Sequence, residues 1–162
     1  MRNPRGLELE RLQVSGPRLS EMLAAGVARE HTGRDDIPYL IEPDPDFPGA
    51  DLHVYQADCP CMEGRKPRPI IKGDLVACVQ IKDIRGPKKT VIVDGSLVVV
   101  RHELMPKMYE WTLRTVKWEN GGISLSCETL RRKKIEPMRL SSLSDTGPIR
   151  IIALARRVIS RI

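Results

Sequence analysis

Aromatic side chains are scarce in this 162-residue chain, with one Phe, three Tyr and two Trp. Branched aliphatics must therefore supply most of the core. No apolar run approaches the length of a membrane span, and the basic N-terminus lacks the apolar stretch of a signal peptide. The expectation is a cytoplasmic protein without membrane contact. Histidine is limited to His31, His53 and His102, which are scattered, and Cys59-Pro60-Cys61 has no second cysteine pair at zinc-knuckle spacing. Neither a metal centre nor a cofactor is expected. Without an export signal, Cys59, Cys61, Cys78 and Cys127 are expected as reduced thiols.

Turn formers are plentiful. Thirteen Pro and twelve Gly argue for many turns and short strands rather than a helical bundle. The length fits one domain with an arm and suffices to bury a core. The formal net charge of +6 sits in clusters: Arg65, Lys66, Arg68 and Lys72; Lys82, Arg85, Lys88 and Lys89; Arg131 to Lys134; Arg156, Arg157 and Arg161. Such clusters fit a nucleic-acid or acidic-protein surface, or charged loops that keep strand edges from aggregating. With no interleaved aromatics and no binding motif, the solvated-loop reading prevails.

In chain order, residues 1–24 hold at most one or two helical turns, too little for a helix-turn-helix DNA reader. Ala24-Ala25-Gly26-Val27 is a small-residue step, and residues 28–38 read as a polar link. Short strands are predicted at Tyr39-Leu40-Ile41, Leu52 to Gln56, Leu75 to Ile81, Thr90 to Val93 and Leu97 to Arg101. A loop at Leu104 to Met108 precedes a strand from Tyr109 to Trp118. Asn120-Gly121 is a hairpin turn, because it supplies the positive φ values a tight turn needs. Ile123 to Cys127 answers it, and Ile149 to Ile162 closes the chain. The fold class is mostly β, with curled antiparallel sheets at 37–162 and an N-terminal arm at 1–36.

The motif-bearing stretch is the polar corner Ala57 to Met62, followed by Gly73-Asp74-Leu75-Val76. Across about residues 24–162 this layout resembles the LexA/UmuD-type self-cleaving peptidase domain of many phage repressors. Ala25-Gly26 stands where that family has its scissile bond. Cys61-Met62 stands at the Ser-Met pair some thirty-odd residues later, with Cys59 as an alternative nucleophile. Gly73-Asp74-Leu75-Val76 and Gly95-Ser96-Leu97-Val98-Val99-Val100 match two Gly-led strands. Counting back from the Ile123 strand and pairing across from Val98 both put Arg114 at the general-base lysine position. A competing register, Thr115-Val116-Lys117, offers Lys117 instead; the two are three apart and leave opposite faces of a strand.

The substitutions change the chemistry the resemblance implies. A Ser-Lys dyad needs a desolvated, neutral lysine to take the hydroxyl proton. Arginine stays protonated and cannot do so. A Cys61 thiolate beside Arg114 is a sensible ion pair, yet it lacks a group to return a proton to the leaving amine. The resemblance therefore implies a pseudo-peptidase whose fold serves as a homodimerisation and interaction module in transcriptional regulation or the DNA-damage response. The alternatives are a self-cleaving Cys61-Lys117 peptidase cutting Ala25-Gly26, and a nucleic-acid-binding protein using its basic loops. A bland reading makes the cysteines small core residues, which is strongest for Cys78 and Cys127.

Overall fold

The computed structural model describes residues 18–23, 28–29 and 34–38 as backbone, and residues 41–58, 61–87, 91–130, 135–143 and 147–160 with their side chains. The strands are β1 (Arg18–Leu23), β2 (Ala28–Arg29), β3 (Arg34–Pro38), β4 (Leu52–Ala57), β5 (Leu75–Gln80), β6 (Leu97–Met105), β7 (Met108–Glu119), β8 (Gly122–Ser126), β9 (Met138–Leu140) and β10 (Ile149–Ile159). One 3₁₀ turn, Ile81–Asp83, is the sole helical element among the described residues. All ten strands join one sheet in the order β3-β1-β4-β5-β10-β6-β7-β8-β9, with β2 on β7. Every pairing is antiparallel except β1 with β4.

Chain length forces this sheet to curl. β1 lies beside β4 and β2 beside β7. In a flat sheet those flanks would be about 29 Å apart, at roughly 4.8 Å per strand. The five peptide steps from Leu23 to Ala28 reach at most about 17 Å. The two wings must therefore bend toward each other, and one face becomes an interior.

Two apolar clusters follow from strand alternation. Tyr55, Val76, Cys78, Leu97, Val99, Trp111, Leu113 and Ala153 fill the first, together with Cys61, Met62 and Ile70. On the opposite face, Val79, Val98, Val100, Val116, Ile123, Leu125 and Leu154 pack with Ile81, Ile84, Ile92 and Leu140. Because both faces are covered, β5 is buried at every position, and its sequence Leu-Val-Ala-Cys-Val-Gln is a near-continuous apolar run. Gln80 is accommodated by donating from Nε2 to the Tyr55 hydroxyl at 2.9 Å.

The expected strands at Leu52, Leu75, Leu97, Tyr109, Ile123 and Ile149 all form. Elsewhere the structure differs. Part of the expected helical turns, Arg18–Leu23, is β1, and part of the expected polar link is β2 and β3. The expected boundary between residues 36 and 37 falls inside β3. Residues 91–93 are a turn, not a strand: Ser96 N donates to Val93 O at 3.0 Å, and Val93 N donates to Ser96 Oγ at 2.9 Å. The expected loop at Leu104 to Met108 is a tight turn in which Met105 faces Met108 across Pro106-Lys107. Lys107 has φ +65°, as the third position of such a Pro-led turn requires.

His53 on β4 is half-buried, and burial pulls its proton affinity below the ordinary imidazole value of 6.5. Asp83 and Asp51 oppose this and Lys82 adds to it. A histidine that binds its proton less well when folded favours unfolding once protonated. Stability should be flat above pH 6.5 and decline as pH falls from 6.5 toward the folded-state value. Urea midpoints on either side of that window should therefore differ in the parent and draw together in His53→Gln. An equal difference in the variant would mean that another group carries the pH dependence.

Candidate functional site

The corner is built by two turns that lock onto each other. Ala57 N donates to Asp74 O at 2.9 Å, and Gly73 N donates to Ala57 O at 2.7 Å. Gly73 has φ +98°, a conformation that a side chain disfavours. The Asp74 carboxylate is buried and accepts from Ile71 N at 3.1 Å, closing the turn that launches β5. Gly73-Asp74 is thus an architectural device in this chain. At the rim, Lys72 and Asp58 form a loose, exposed pair at 3.9 Å, of a kind that contributes little.

After the corner, the chain doubles back. Ile70 N and Arg65 N both donate to Met62 O, at 3.1 and 3.2 Å, and Met62 bridges to Ile70. This loop is clamped to the exit of β8: Gly64 N donates to Glu128 O at 2.7 Å, and Glu128 N donates to the Met62 sulfur at 3.4 Å. A Cβ on Gly64 would lie 2.8 Å from Glu128 O. Thr115 Oγ1 donates to the Glu128 carboxylate at 2.9 Å. The residue of β7 tied to the corner's neighbourhood is therefore Thr115, which the sequence motifs did not single out. Only Gly64, a glycine in an otherwise bulky basic loop, hinted at the close approach.

Cys61 does not stand out from the sheet. It is 5 % exposed and is disulfide-bonded. This corrects the expectation of a reduced thiol at Cys61. The cause of the burial is the folding-back of the loop at Met62 and Ile70, which carries both Cys61 and Met62 into the first cluster. Cys78 and Cys127 are free thiols. Cys59 lies outside the described residues, as do Ala25 and Gly26.

Arg114 is almost fully buried, at 1 % exposure. It pairs across from Val98, so its side chain leaves the sheet on the face of Val98 and Val116, while Leu113 points to the face of Cys61. Its Nε donates to Thr112 Oγ1 at 3.0 Å, and its Nη1 donates to Leu125 O at 3.2 Å and Glu136 O at 3.1 Å. Glu110, four residues back on the same strand, supplies a carboxylate at 3.9 Å. The guanidinium thus stitches β7 to β8 and to the approach of β9. The expected thiolate–guanidinium pair at Cys61 is corrected too, since a disulfide sulfur has no acid proton to lose. The thiol that feels Arg114 is Cys127. Burial pushes that thiol up, the nearby Arg114 charge pulls it down, Glu110 pushes it up, and the net direction is upward. Burial alone raises Cys78. Neither is a poised nucleophile. Lys117 is exposed on the opposite face of β7 from Arg114, with Ser124 across from it.

No group of three or more His, Cys, Asp or Glu able to hold a metal ion occurs among the described residues. No helix among them is long and apolar enough to cross a membrane. No protein-family model matches the chain, and no curated protein matches it.

Proposed function

We propose that the chain is a LexA/UmuD-like peptidase-fold domain without working scissors, which serves as a dimerisation and interaction module in transcriptional regulation or the DNA-damage response. The observation that carries this reading is the separation of the expected dyad: Cys61 lies in the first cluster, whereas Arg114 leaves β7 on the other face and is committed to structural bonds. A base must release and accept a proton, whereas this guanidinium is permanently charged and spends its donors on two backbone carbonyls and a hydroxyl. The buried, oxidised state of Cys61 supports it from the nucleophile's side. What then persists is a rigid curled sheet, with an arm whose strands reach both of its wings.

Purified protein kept at alkaline pH should retain its arm, and a fragment beginning at Gly26 would contradict the reading in favour of a Cys61-Lys117 peptidase. Sedimentation at micromolar concentration should give twice the monomer mass. A monomer under those conditions would remove the dimer from the proposal while leaving the loss of cutting intact.

A further inference from the structure

A group of four arginines gathers on the described surface between the loop after Met62 and β10. A cleft of about 420 Å³ opens between the loop after Met62, the turn at Val91 to Leu97 and the Leu154–Val158 stretch of β10. Arg65, Arg68, Arg156 and Arg157 line it, and among the described residues lining it none is acidic. Sequence clusters ninety residues apart meet here because β10 lies beside β5, the strand into which the loop leads. A register shift between Ala155 and Arg157 interrupts that pairing and turns two consecutive arginines outward.

The four guanidiniums are not equivalent. Arg156 is neutralised, with Nε 2.6 Å from Asp44 Oδ2 and Nη2 2.5 Å from Asp46 Oδ2. The Arg156 hydrogen bond holds the Asp44 carboxyl below the usual carboxylate range. Among the described residues, Arg68 and Arg157 hydrogen-bond to neutral groups, although the Arg157 charge also acts on Asp44. Arg68 donates to Val158 O at 3.1 Å and to Ser160 Oγ at 2.5 Å, and Arg157 donates to Glu42 O. Each guanidinium carries five donors, so these contacts fix the side chains and leave donors over. A neighbouring cavity of about 880 Å³ gives the contrast, because there Asp46, Asp51 and Asp83 offset Lys82 and Arg85.

We propose that this arginine cleft is a docking site for the sugar–phosphate backbone of a nucleic-acid duplex. Guanidiniums with spare paired donors, those of Arg68 and Arg157 held in place by their hydrogen bonds, match phosphate oxygens. The apolar walls, Val93, Leu97, Leu154 and Val158 among them, are aliphatic. They offer no ring for an unstacked base, which disfavours single strands and leaves a duplex whose bases stack internally. Lys66 and Lys72 extend the same sign along the loop, and the whole chain carries +6. Contacts of this kind position without reading sequence.

The experiment is fluorescence anisotropy of a labelled duplex against the full chain over a salt series. Affinity should fall steeply with salt. The triple variant Arg65→Ala, Arg68→Ala, Arg157→Ala should lower the salt slope by about 2–3 and weaken low-salt binding at least tenfold. Arg139→Ala, an exposed arginine paired with Glu119 at 3.5 Å on another edge, should leave both unchanged. Because Arg68 and Arg157 also tie backbone together, the single variant Arg65→Ala, expected to lower the slope by about one, serves if the triple fails to fold. Equal slopes in parent and cleft variants would overturn the proposal, as would an equal loss in Arg139→Ala. Displacement of the duplex by polyglutamate as readily as by unlabelled duplex would do the same and assign the cleft to an acidic protein.

Discussion

Arg114→Ala should lose about 3–5 kcal/mol of stability, because it removes one partner from a buried charged network. The parent guanidinium serves Thr112, the carbonyls of Leu125 and Glu136 and the Glu110 carboxylate at 1 % exposure. Truncation would strand the buried Leu125 carbonyl, leave the half-covered Glu136 carbonyl to water, and open a cavity beside Val98 and Val116. Arg114→Lys keeps the charge but cannot reproduce the fork, so it should fall between parent and Ala. Urea unfolding checks this through the midpoint, with an unchanged denaturant slope showing that stability alone moved. A loss under about 1 kcal/mol, the scale of an exposed pair, would mean that the arginine does not tie β7 to its neighbours.

Gly122→Ala should come second, at roughly 2–3 kcal/mol, in the upper part of the range for single substitutions. Gly122 opens β8 after the Asn120-Gly121 turn, and β9 crosses it so closely that a Cβ would sit 2.3 Å from Leu140 O and 3.3 Å from the Leu140 carbonyl carbon. Both obstacles are backbone, so no side-chain rotation relieves them. The three-residue β9, which pairs Leu140 with Ile123, would have to separate from β8. Amide exchange at Met138 to Leu140 should therefore accelerate more than exchange in β5. Uniform acceleration would instead indicate a global loss without this local cause.

Central strands were legible because their chemistry is local. Leu75–Gln80 and Leu97–Val100 are apolar runs with both faces covered, and Asn120-Gly121 fixes the β7–β8 hairpin without help from elsewhere. The first three strands were not legible. Arg34–Pro38 reads Arg-Asp-Asp-Ile-Pro, a polar string that becomes a strand only because β1 offers it an edge. Val91 to Val93 failed in the other direction: of the three only Ile92 is buried, while Trp118 Nε1 donates to its carbonyl and the Asp94 carboxylate accepts from Trp118 N. That turn is held by β7 rather than by a strand partner of its own.

At the candidate site, sequence located Cys61, Arg114 and Gly73-Asp74 but not their states. Burial of Cys61 depends on a bridge between Met62 and Ile70, and Arg114's partners come from β8 and the approach to β9. Spacing along one segment carries no trace of either. The arginine cleft was hidden for the same reason: the cluster with Arg65 and Arg68 and the cluster with Arg156 and Arg157 read as unrelated until β10 is placed beside β5.

Whether the chain cuts itself, the point on which the proposed function turns, is decided most directly by intact-mass spectrometry of the reduced chain after a day at alkaline pH. Reduction frees the Cys61 thiol, so chemistry is given its best conditions. A single full-length species is expected, since Arg114 cannot accept a proton and leaves β7 on the face away from Cys61. A fragment beginning at Gly26 that vanishes in Cys61→Ala and Lys117→Ala, yet persists in Arg114→Ala, would contradict the account.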